Sequence, residues 1–223
     1  MLWVGGDGHC AGAYSASNFA NCEDDHELWW RGRQPHPENA AVNWVTTLAK
    51  TLKIKALEDH EKDPNKKDWE GIFDALKTYE FIVPGDVIIV STDVPNKAYF
   101  GDLNATFAVR QGAIGVVVDG FTRDIERVSK IGLPVFAHGN TADDVRYEGT
   151  FETMNMPVII NDITIRNNDI IFADSDGVIC IPQNKWTMVL LEVKKNLKKE
   201  MLVKLEATFG ADPFDVLNNI GLF

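Results

Sequence analysis

Residues 101 to 124 read GDLNATFAVRQGAIGVVVDGFTRD, and three side chains in that stretch have complementary chemistry. Asp102 stands near its start, and Arg123 with Asp124 close it after twenty intervening residues. An arginine presents a planar fork matched to a carboxylate. Two aspartates present hard oxygens that hold a divalent cation directly or through water. Gly101 lets the backbone come close to a ligand, and a helix beginning after it would offer the amides of Leu103, Asn104 and Ala105 to an anion. Brought together, these residues form a cradle for a metal and a small carboxylate. The same Arg-Asp dipeptide also has the composition of a helix cap with a salt-bridged neighbour.

The surrounding elements decide whether the three residues meet. PGDVIIVSTD, from residue 84, is a buried strand opened by a turn, residues 102 to 111 suit a short helix, and AIGVVVDG is a second buried strand. Residues 124 to 131 suit another helix, and LPVFAHG is a third strand. Such a β-α-β-α-β series implies parallel pairing with right-handed crossovers. About ten residues of helix span ~15 Å and about seven of strand ~23 Å, so the path closes on itself after some twenty residues. Asp102 and Arg123-Asp124 should therefore meet at the carboxyl edge of the sheet, where α/β folds bind ligands.

Beyond this series, MPVIINDITIRNNDIIFADSDGVICIP alternates short apolar runs with Asn-Asp, Asn-Asn-Asp and Asp-Gly, the pattern of antiparallel hairpins. Within it NNDIIFAD repeats the grammar of PGDVIIVSTD: turn, aspartate, apolar strand. From Asn184 to about Phe209 the residues Val189, Val193, Leu197, Met201 and Leu205 recur at i+4, which predicts a long amphipathic helix ending near Gly210 and Pro213. In the N-terminal part GHCAGAYSA reads as a strand, NAAVNWVTTLAKTLKIKALEDH (39–60) as a helix, EKDPNKKD as a solvated loop and DWEGIFDALKTY as a second helix. NCEDDHELWWRGRQPHPEN has no clear period.

A chain of 223 residues with 45% hydrophobic and 25% charged residues has the composition of a globular protein with one well-buried domain. No apolar run approaches the ~20 residues of a membrane helix, and MLWVGGDGHCAG lacks a secretory signal, so a cytoplasmic location is expected. The net charge of −11 disfavours nucleic acid as a partner. It does not disfavour a small anion, because a local arginine outweighs a distant field. Cys10, Cys22 and Cys180 are odd in number and widely spaced, as ordinary thiols in a reducing compartment are.

Asp102, the twenty-residue spacing and Arg123-Asp124 resemble the signature of the RraA-like family, which includes the class II 4-hydroxy-4-methyl-2-oxoglutarate/4-carboxy-4-hydroxy-2-oxoadipate aldolases. PGDVIIV, GLPVFAHG, the hairpin region and the closing helix extend the resemblance from about residue 80 to 205, within what reads as a single domain over 1–223 with a divergent part over 1–80. The resemblance implies an α/β fold with a three-layer β/β/α, swivelling-domain-like core, parallel β-α-β units, antiparallel hairpins and a long C-terminal helix, assembled as trimers or hexamers. It implies Asp124 as the direct ligand of Mg²⁺ or Mn²⁺, Asp102 as the holder of metal-bound waters, and Arg123 with the amides after Gly101 as the binding site of a pyruvyl group. The implied reaction is retro-aldol cleavage of a 4-hydroxy-2-oxo diacid to pyruvate, with oxaloacetate decarboxylation as a second activity. Two other outcomes fit the same resemblance: a protein that binds and inhibits an RNA-degrading endonuclease without turnover, and a lyase or hydratase acting on a sugar acid. The chain departs from the family pattern in having CAGAYSA within ten residues or so of Met1, a Trp-rich stretch over 21–65, and Arg127 beside Glu126 where many relatives carry an acid.

Four further features have chemistry of their own. Asp24 to Glu27 (DDHE) has metal-ligand residue types but no second histidine at helical spacing, and suits a solvated loop. Trp29 and Trp30 in WWRGRQPHP suit a buried contact or an aromatic-basic patch. His138 is expected at a sheet edge, as a turn histidine or a group behind the site. Glu200 either reaches a neighbouring subunit's site, as the resemblance allows, or pairs with Lys204 on its own helix.

Overall fold

In the computed structural model, the described residues are 29–30, 45–62, 70–174 and 177–220. GHCAGAYSA and the DDHE run lie outside them, as does most of the EKDPNKKD loop.

The β-branched runs build a nine-stranded mixed sheet. In chain order its strands are β1 (Trp29–Trp30), β2 (Val45–Ala56), β3 (Val87–Thr92), β4 (Ala98–Phe100), β5 (Gly115–Thr122), β6 (Val135–Asn140) and β7 (Gly149–Met154). The hairpin β8 (Val158–Ile160) and β9 (Ile163–Ile165) forms a separate two-stranded sheet, and β10 (Ile170–Asp174) with β11 (Gly177–Ile181) returns to the large one. Strands β2, β3, β5 and β6 pair in parallel, while β10 and β7 join β2 antiparallel. The predicted β-α-β series and the antiparallel hairpins are both present.

Three layers follow from which face each side chain takes. On one face Ile88, Val90, Val116 and Val118 pack with Ala105, Ala108 and Val128 of helices α2 (Asp102–Arg110) and α3 (Ile125–Ile131). On the other, Val87, Ile89, Val117 and Phe136 pack with Val158, Ile160, Ile163 and Ile165 of the small sheet. The turn of that hairpin is Asn161-Asp162, with φ of 47° and 65°. Positive φ at both positions is what a type I′ turn demands and what Asn and Asp tolerate.

The repeated turn-aspartate-strand grammar has one physical cause. Asp86 Oδ2 accepts the Val83 amide at 2.8 Å, and Asp169 Oδ2 accepts the Arg166 amide at 2.8 Å. Each buried carboxylate thus closes the turn that aims its strand into the sheet.

Residues 39–60 depart from expectation, because 45–56 form strand β2 rather than a helix. Val45, Leu48, Leu52 and Ala56 fall at helical spacing, but Thr46, Thr47, Thr51 and Ile54 are β-branched and favour a pleated strand. Ala49 packs on one face and Leu52 with Ile54 on the other, so a strand buried on both sides shows no clean alternation. Its lysines are accommodated by partners distant in sequence: Lys50 lies 3.7 Å from Asp86, and Lys53 pairs with Asp93.

The DWEGIFDALKTY helix is a short turn, α1 (Glu70–Phe73), continued as 3₁₀ helix over Asp74–Phe81. The long C-terminal helix is α4 (Trp186–Thr208), followed at Gly210 (φ 80°) by α5 (Pro213–Ile220). Val189 and Val193 bury against Ile170, Phe172, Ile179 and Ile181, whereas Met201 and Leu205 are exposed among the described residues. No helix among the described residues is long and apolar enough to cross a membrane.

Candidate functional site

Asp102 and Arg123-Asp124 meet, but through an element that the spacing argument omits. Between β3 and α2 the chain makes the short strand β4, which lies parallel to the end of β5 with Phe100 opposite Thr122. The Arg123 amide donates to Phe100 O at 2.9 Å, as does the Thr122 hydroxyl. Phe100 is fully buried and fixes the edge strand from beneath. Truncating such a core phenylalanine costs about 3–5 kcal/mol. Two parallel strands therefore end side by side, with Gly101-Asp102 leaving one and Arg123-Asp124 leaving the other.

Gly101 is required by proximity, since its φ of −150° is ordinary extended backbone. A Cβ there would stand 2.6 Å from Asp124 Oδ2 and 2.9 Å from Arg123 Cγ and Nε. A side chain there would have to push the Arg123 and Asp124 side chains aside.

Asp124 occupies the N-cap position of α3 in the left-handed region, φ 57° and ψ 35°. Its side chain makes no capping bond to that helix. Instead, Asp124 Oδ2 accepts the Asp102 amide at 3.3 Å and lies 3.5 Å from Arg123 Nε. The cap reading of the dipeptide thus describes the backbone position and not the carboxylate. Aspartate tolerates this backbone conformation, and here it leaves the carboxylate turned toward Gly101 and Arg123 rather than toward its own helix.

Arg123 is held from two sides. Its Nη1 donates to Asp144 Oδ2, which also accepts Arg146 Nε at 3.1 Å, while Asp144 Oδ1 accepts the Arg146 amide at 2.9 Å. Burial pushes the Asp144 carboxyl up, but the Arg123 hydrogen bond, the Arg146 amide and the two guanidinium charges outweigh it, and the group lies below its ordinary value. Asp102 is likewise lowered, chiefly by Arg127, whose Nη1 stands 3.1 Å from Asp102 Oδ2. Arg127 is therefore the counterion of Asp102.

The expected free amides need one correction. Gly101 is the N-cap of α2, so the Ala105 amide closes the first intrahelical bond, onto Gly101 O at 2.9 Å. The Asp102 amide is taken by Asp124, and the Leu103 amide helps hold the Asp102 carboxyl below its ordinary value. Asn104 uses its side-chain amide on Tyr99 O at 2.8 Å. The helix start orders the acids more than it exposes donors.

Beside Gly101 and Arg123 opens a cavity of about 270 Å³. It is lined by Ile72, Phe73, Leu76, Tyr99, Phe107 and Val145, together with the exposed Leu103. Asp144 and Arg146 join Arg123 at its charged end. The sequence reading did not name Asp144, Arg146 or the apolar wall. TADDVRYEG is a polar run after a strand, and only the bridge of Asp144 to Ala98 of β4 brings it to the site.

The other candidates fall elsewhere. His138 lies within β6, its Nε2 3.2 Å from Asp119 Oδ1, and burial raises that carboxyl. Glu200 pairs with Lys204 at 3.7 Å. Trp29 and Trp30 pair by backbone with β11. Cys180 is buried, and its thiol is pushed up to about 12 by desolvation and by Asp169, which makes it inert.

The donors available to a metal are the carboxylates of Asp102 and Asp124. Among the described residues no group of three or more His, Cys, Asp or Glu side chains converges on one point. An oxygen-only pair fits a hard cation that retains several waters, as Mg²⁺ and Mn²⁺ do. It does not fit zinc, which takes three or four nitrogen, sulfur or oxygen ligands from protein.

Comparison with known proteins bears on the same region. The model of a family described as RraA-like, Aldolase/RraA, matches residues 39–180, which includes β2 and the whole crevice. A protein of Halalkalibacterium halodurans named "Putative 4-hydroxy-4-methyl-2-oxoglutarate aldolase" is 31% identical over 159 residues, 70% of this chain and 75% of that one. One of the same name from Azotobacter vinelandii is 29% identical over 133 residues, covering 58% and 73%. Among solved structures, RraAS2 of Streptomyces coelicolor, described as an unusual member of the RNase ES inhibitor RraA protein family, superposes with a TM-score of 0.69 at 21% identity, covering 86% of this chain and 89% of that one. That likeness concerns the fold.

Proposed function

This chain belongs to the RraA-like family, and from that premise we propose that it is a divalent-metal-dependent lyase that cleaves a 4-hydroxy-2-oxo acid to pyruvate by retro-aldol chemistry. The observation that carries the reading is the convergence of Arg123 with Asp102 and Asp124 around a glycine whose Cβ would crowd both the Arg123 and the Asp124 side chains. In this reading Asp124 holds Mg²⁺ or Mn²⁺ directly and Asp102 holds it through water. Bound there, the cation supplies positive charge close to the oxo acid.

The chain's own groups then have definite tasks. Arg123 binds the substrate carboxylate and 2-oxo oxygen through its fork, and Asp144 fixes the plane of that fork. When the bond between C3 and C4 breaks, its electron pair moves to the 2-oxo oxygen as an enolate. The 4-hydroxyl oxygen gives its proton to solvent as C4 becomes a carbonyl, and one proton returned to C3 gives pyruvate, so the overall proton count is unchanged. In this reading Arg123 donates to the oxygen on which charge develops, and an oriented donor there is worth about 2.7–4 kcal/mol. Oxaloacetate decarboxylation passes through the same enolate and is the expected second activity. A small 2-oxo acid is then the partner, and assembly as a trimer or hexamer, which light scattering would report, belongs to the same proposal.

The test is pyruvate release from 4-hydroxy-4-methyl-2-oxoglutarate and from oxaloacetate with Mg²⁺, with EDTA and after restoring Mg²⁺. Activity lost in chelator and regained is expected. Turnover undiminished in EDTA and retained by Asp124→Ala would refute the metal. Turnover of neither acid, combined with turnover of a sugar acid or tight binding of an RNA-degrading endonuclease, would favour one of the alternatives.

A further inference from the structure

Among the described residues that line the cavity beside Arg123, one carries a hydroxyl, and that hydroxyl has no partner. Tyr99, the middle residue of β4, lines the cavity and is 6% exposed. A tyrosine so deeply buried usually has its O–H hydrogen-bonded. Among the described residues no hydrogen bond is made to or by this hydroxyl, and the Asn104 side-chain amide goes to the backbone oxygen of Tyr99 instead. Nor is the hydroxyl sealed in the core, because it keeps a surface toward the cavity. Burial pushes its pKa above the ordinary value, so it stays protonated and serves as a donor rather than a base.

Its place on β4 sets it beside the charged end. One residue before it, Ala98 is bridged to Asp144, the carboxylate that takes the Arg123 fork, and Ala98 O accepts the Val145 amide at 3.2 Å. Two residues after it, Gly101 comes so close that a Cβ would stand 2.9 Å from Arg123 Cγ and Nε. Tyr99 is thus strung between the two points at which this stretch of chain touches Arg123 and its support. A cavity of about 270 Å³ is no larger than one small molecule needs, so an acid held at Arg123 extends along the rest of the lining. The lyase reading gives the substrate carboxylate and the 2-oxo oxygen to Arg123 and the cation. Of the atoms that react, the C4 oxygen is left without a partner. A second carboxylate, where a substrate has one, is matched by the charged Arg146 on the same lining, whereas an uncharged O–H suits an oxygen whose charge is transient.

We propose that Tyr99 is a catalytic residue of the retro-aldol step, its hydroxyl donating a hydrogen bond to the C4 oxygen of the substrate. The inference rests on the lyase reading and assigns that site a further residue. As the 4-hydroxyl proton passes to solvent, negative charge gathers on the C4 oxygen. That charge is spent when the carbonyl forms at C4 and the C3–C4 electron pair moves toward the 2-oxo oxygen. Tyr99 keeps its own proton throughout, so the balance of the reaction is unchanged. Oxaloacetate runs the other way: its C4 is a carboxylate that loses charge as CO₂ leaves, and a donor there holds the ground state more than the transition state.

The experiment compares wild type and Tyr99→Phe, as Mg²⁺-loaded full chains, on three acids. They are 4-hydroxy-4-methyl-2-oxoglutarate, 4-hydroxy-4-methyl-2-oxopentanoate, which has the C4 oxygen but no distal carboxylate, and oxaloacetate, which has no 4-hydroxyl. On both hydroxy acids kcat should fall on the order of 100-fold, the scale of one lost oxyanion donor, and on oxaloacetate it should not fall. Exchange of pyruvate methyl protons in D₂O, which involves no C4 oxygen, is the control for the fold and the charged end and should persist in Tyr99→Phe. An equal loss on all three acids would make Tyr99 structural, a loss on the glutarate alone would give it to the distal carboxylate, and no loss on any would leave it idle. Each of these outcomes overturns the inference and leaves the lyase reading intact. Failure of the reading itself would look different: wild-type protein that cleaves none of the three and shows no metal-dependent exchange of pyruvate methyl protons.

Discussion

The two ends of the crevice are built on different principles. The charged end stands on the ends of two adjacent parallel strands, and its groups are held by backbone: Arg123 through its amide on Phe100 O, Asp124 through a left-handed φ, Asp102 through an amide that reaches Asp124. The apolar end is made of side chains from several elements, Ile72 and Leu76 from one helical segment, Phe107 from α2 and Tyr99 from β4. Backbone-held groups tolerate little displacement, whereas side-chain walls can be exchanged one residue at a time.

Substitutions at the two ends should therefore differ in size and kind. The largest loss is expected for Gly101→Ala, because the added methyl would lie 2.6 Å from Asp124 Oδ2 and must displace the Arg-Asp pair. A fall in kcat/KM of about 1000-fold with a normal circular-dichroism spectrum is expected, on the scale of lost orientation at a reacting centre. An active Gly101→Ala protein would show that the close approach is incidental.

Arg123→Lys comes next. It keeps the charge and loses the planar fork, so kcat should fall on the order of 100-fold while KM rises less. A raised KM at normal kcat would make Arg123 a docking group for the carboxylate alone, and the contrast between the two ends would shrink.

Asp144→Asn should cost on the order of 10-fold in kcat/KM by releasing the Arg123 fork, and it has a signature in acid. The folded carboxyl lies below its ordinary value of 3.8, so its ion pairs stabilise the fold fully above that value and are lost as pH falls through the lower folded one. Denaturation curves of wild type and Asp144→Asn should differ by less than about 1 kcal/mol at pH 7 and converge below the ordinary carboxylate range. A gap that persists in strong acid would rule out the ion pairs as its cause.

Glu200→Gln marks the small end of the series. Its partner is the exposed Lys204, one turn on, and such a pair contributes about 0.3–0.5 kcal/mol. Unchanged kcat is expected, and a large loss of kcat would assign Glu200 to a neighbouring subunit's crevice instead.

How far the site was legible in the sequence follows from the same division. Strand-end chemistry shows in spacing, since Asp102 and Arg123-Asp124 are separated by one helix and one strand, and β4 shifted the route of the argument without moving its end point. The wall was not legible: Ile72, Leu76 and Phe107 sit on ordinary amphipathic helices, and nothing local distinguishes a cavity residue from a core one. Asp144 was hidden because its role depends on a bridge to Ala98, 46 residues earlier in the chain. The strand β2 was misread for a similar reason, since the partners that make Lys50 and Lys53 acceptable in a sheet, Asp86 and Asp93, come from another element. Where an interaction is local, as in the Asp86 and Asp169 turns, the sequence pattern and the hydrogen bonds coincide.

The central claim is that the charged end stabilises the enolate of pyruvate, and proton exchange tests it without reference to the rest of the substrate. Pyruvate in D₂O with the protein and Mg²⁺, followed by NMR of the methyl resonance, should lose its proton signal far faster than without protein. The exchange should stop in EDTA and fall on the order of 100-fold in Arg123→Lys. No exchange by the wild-type protein with Mg²⁺, or exchange equally fast in Arg123→Lys, would contradict the claim.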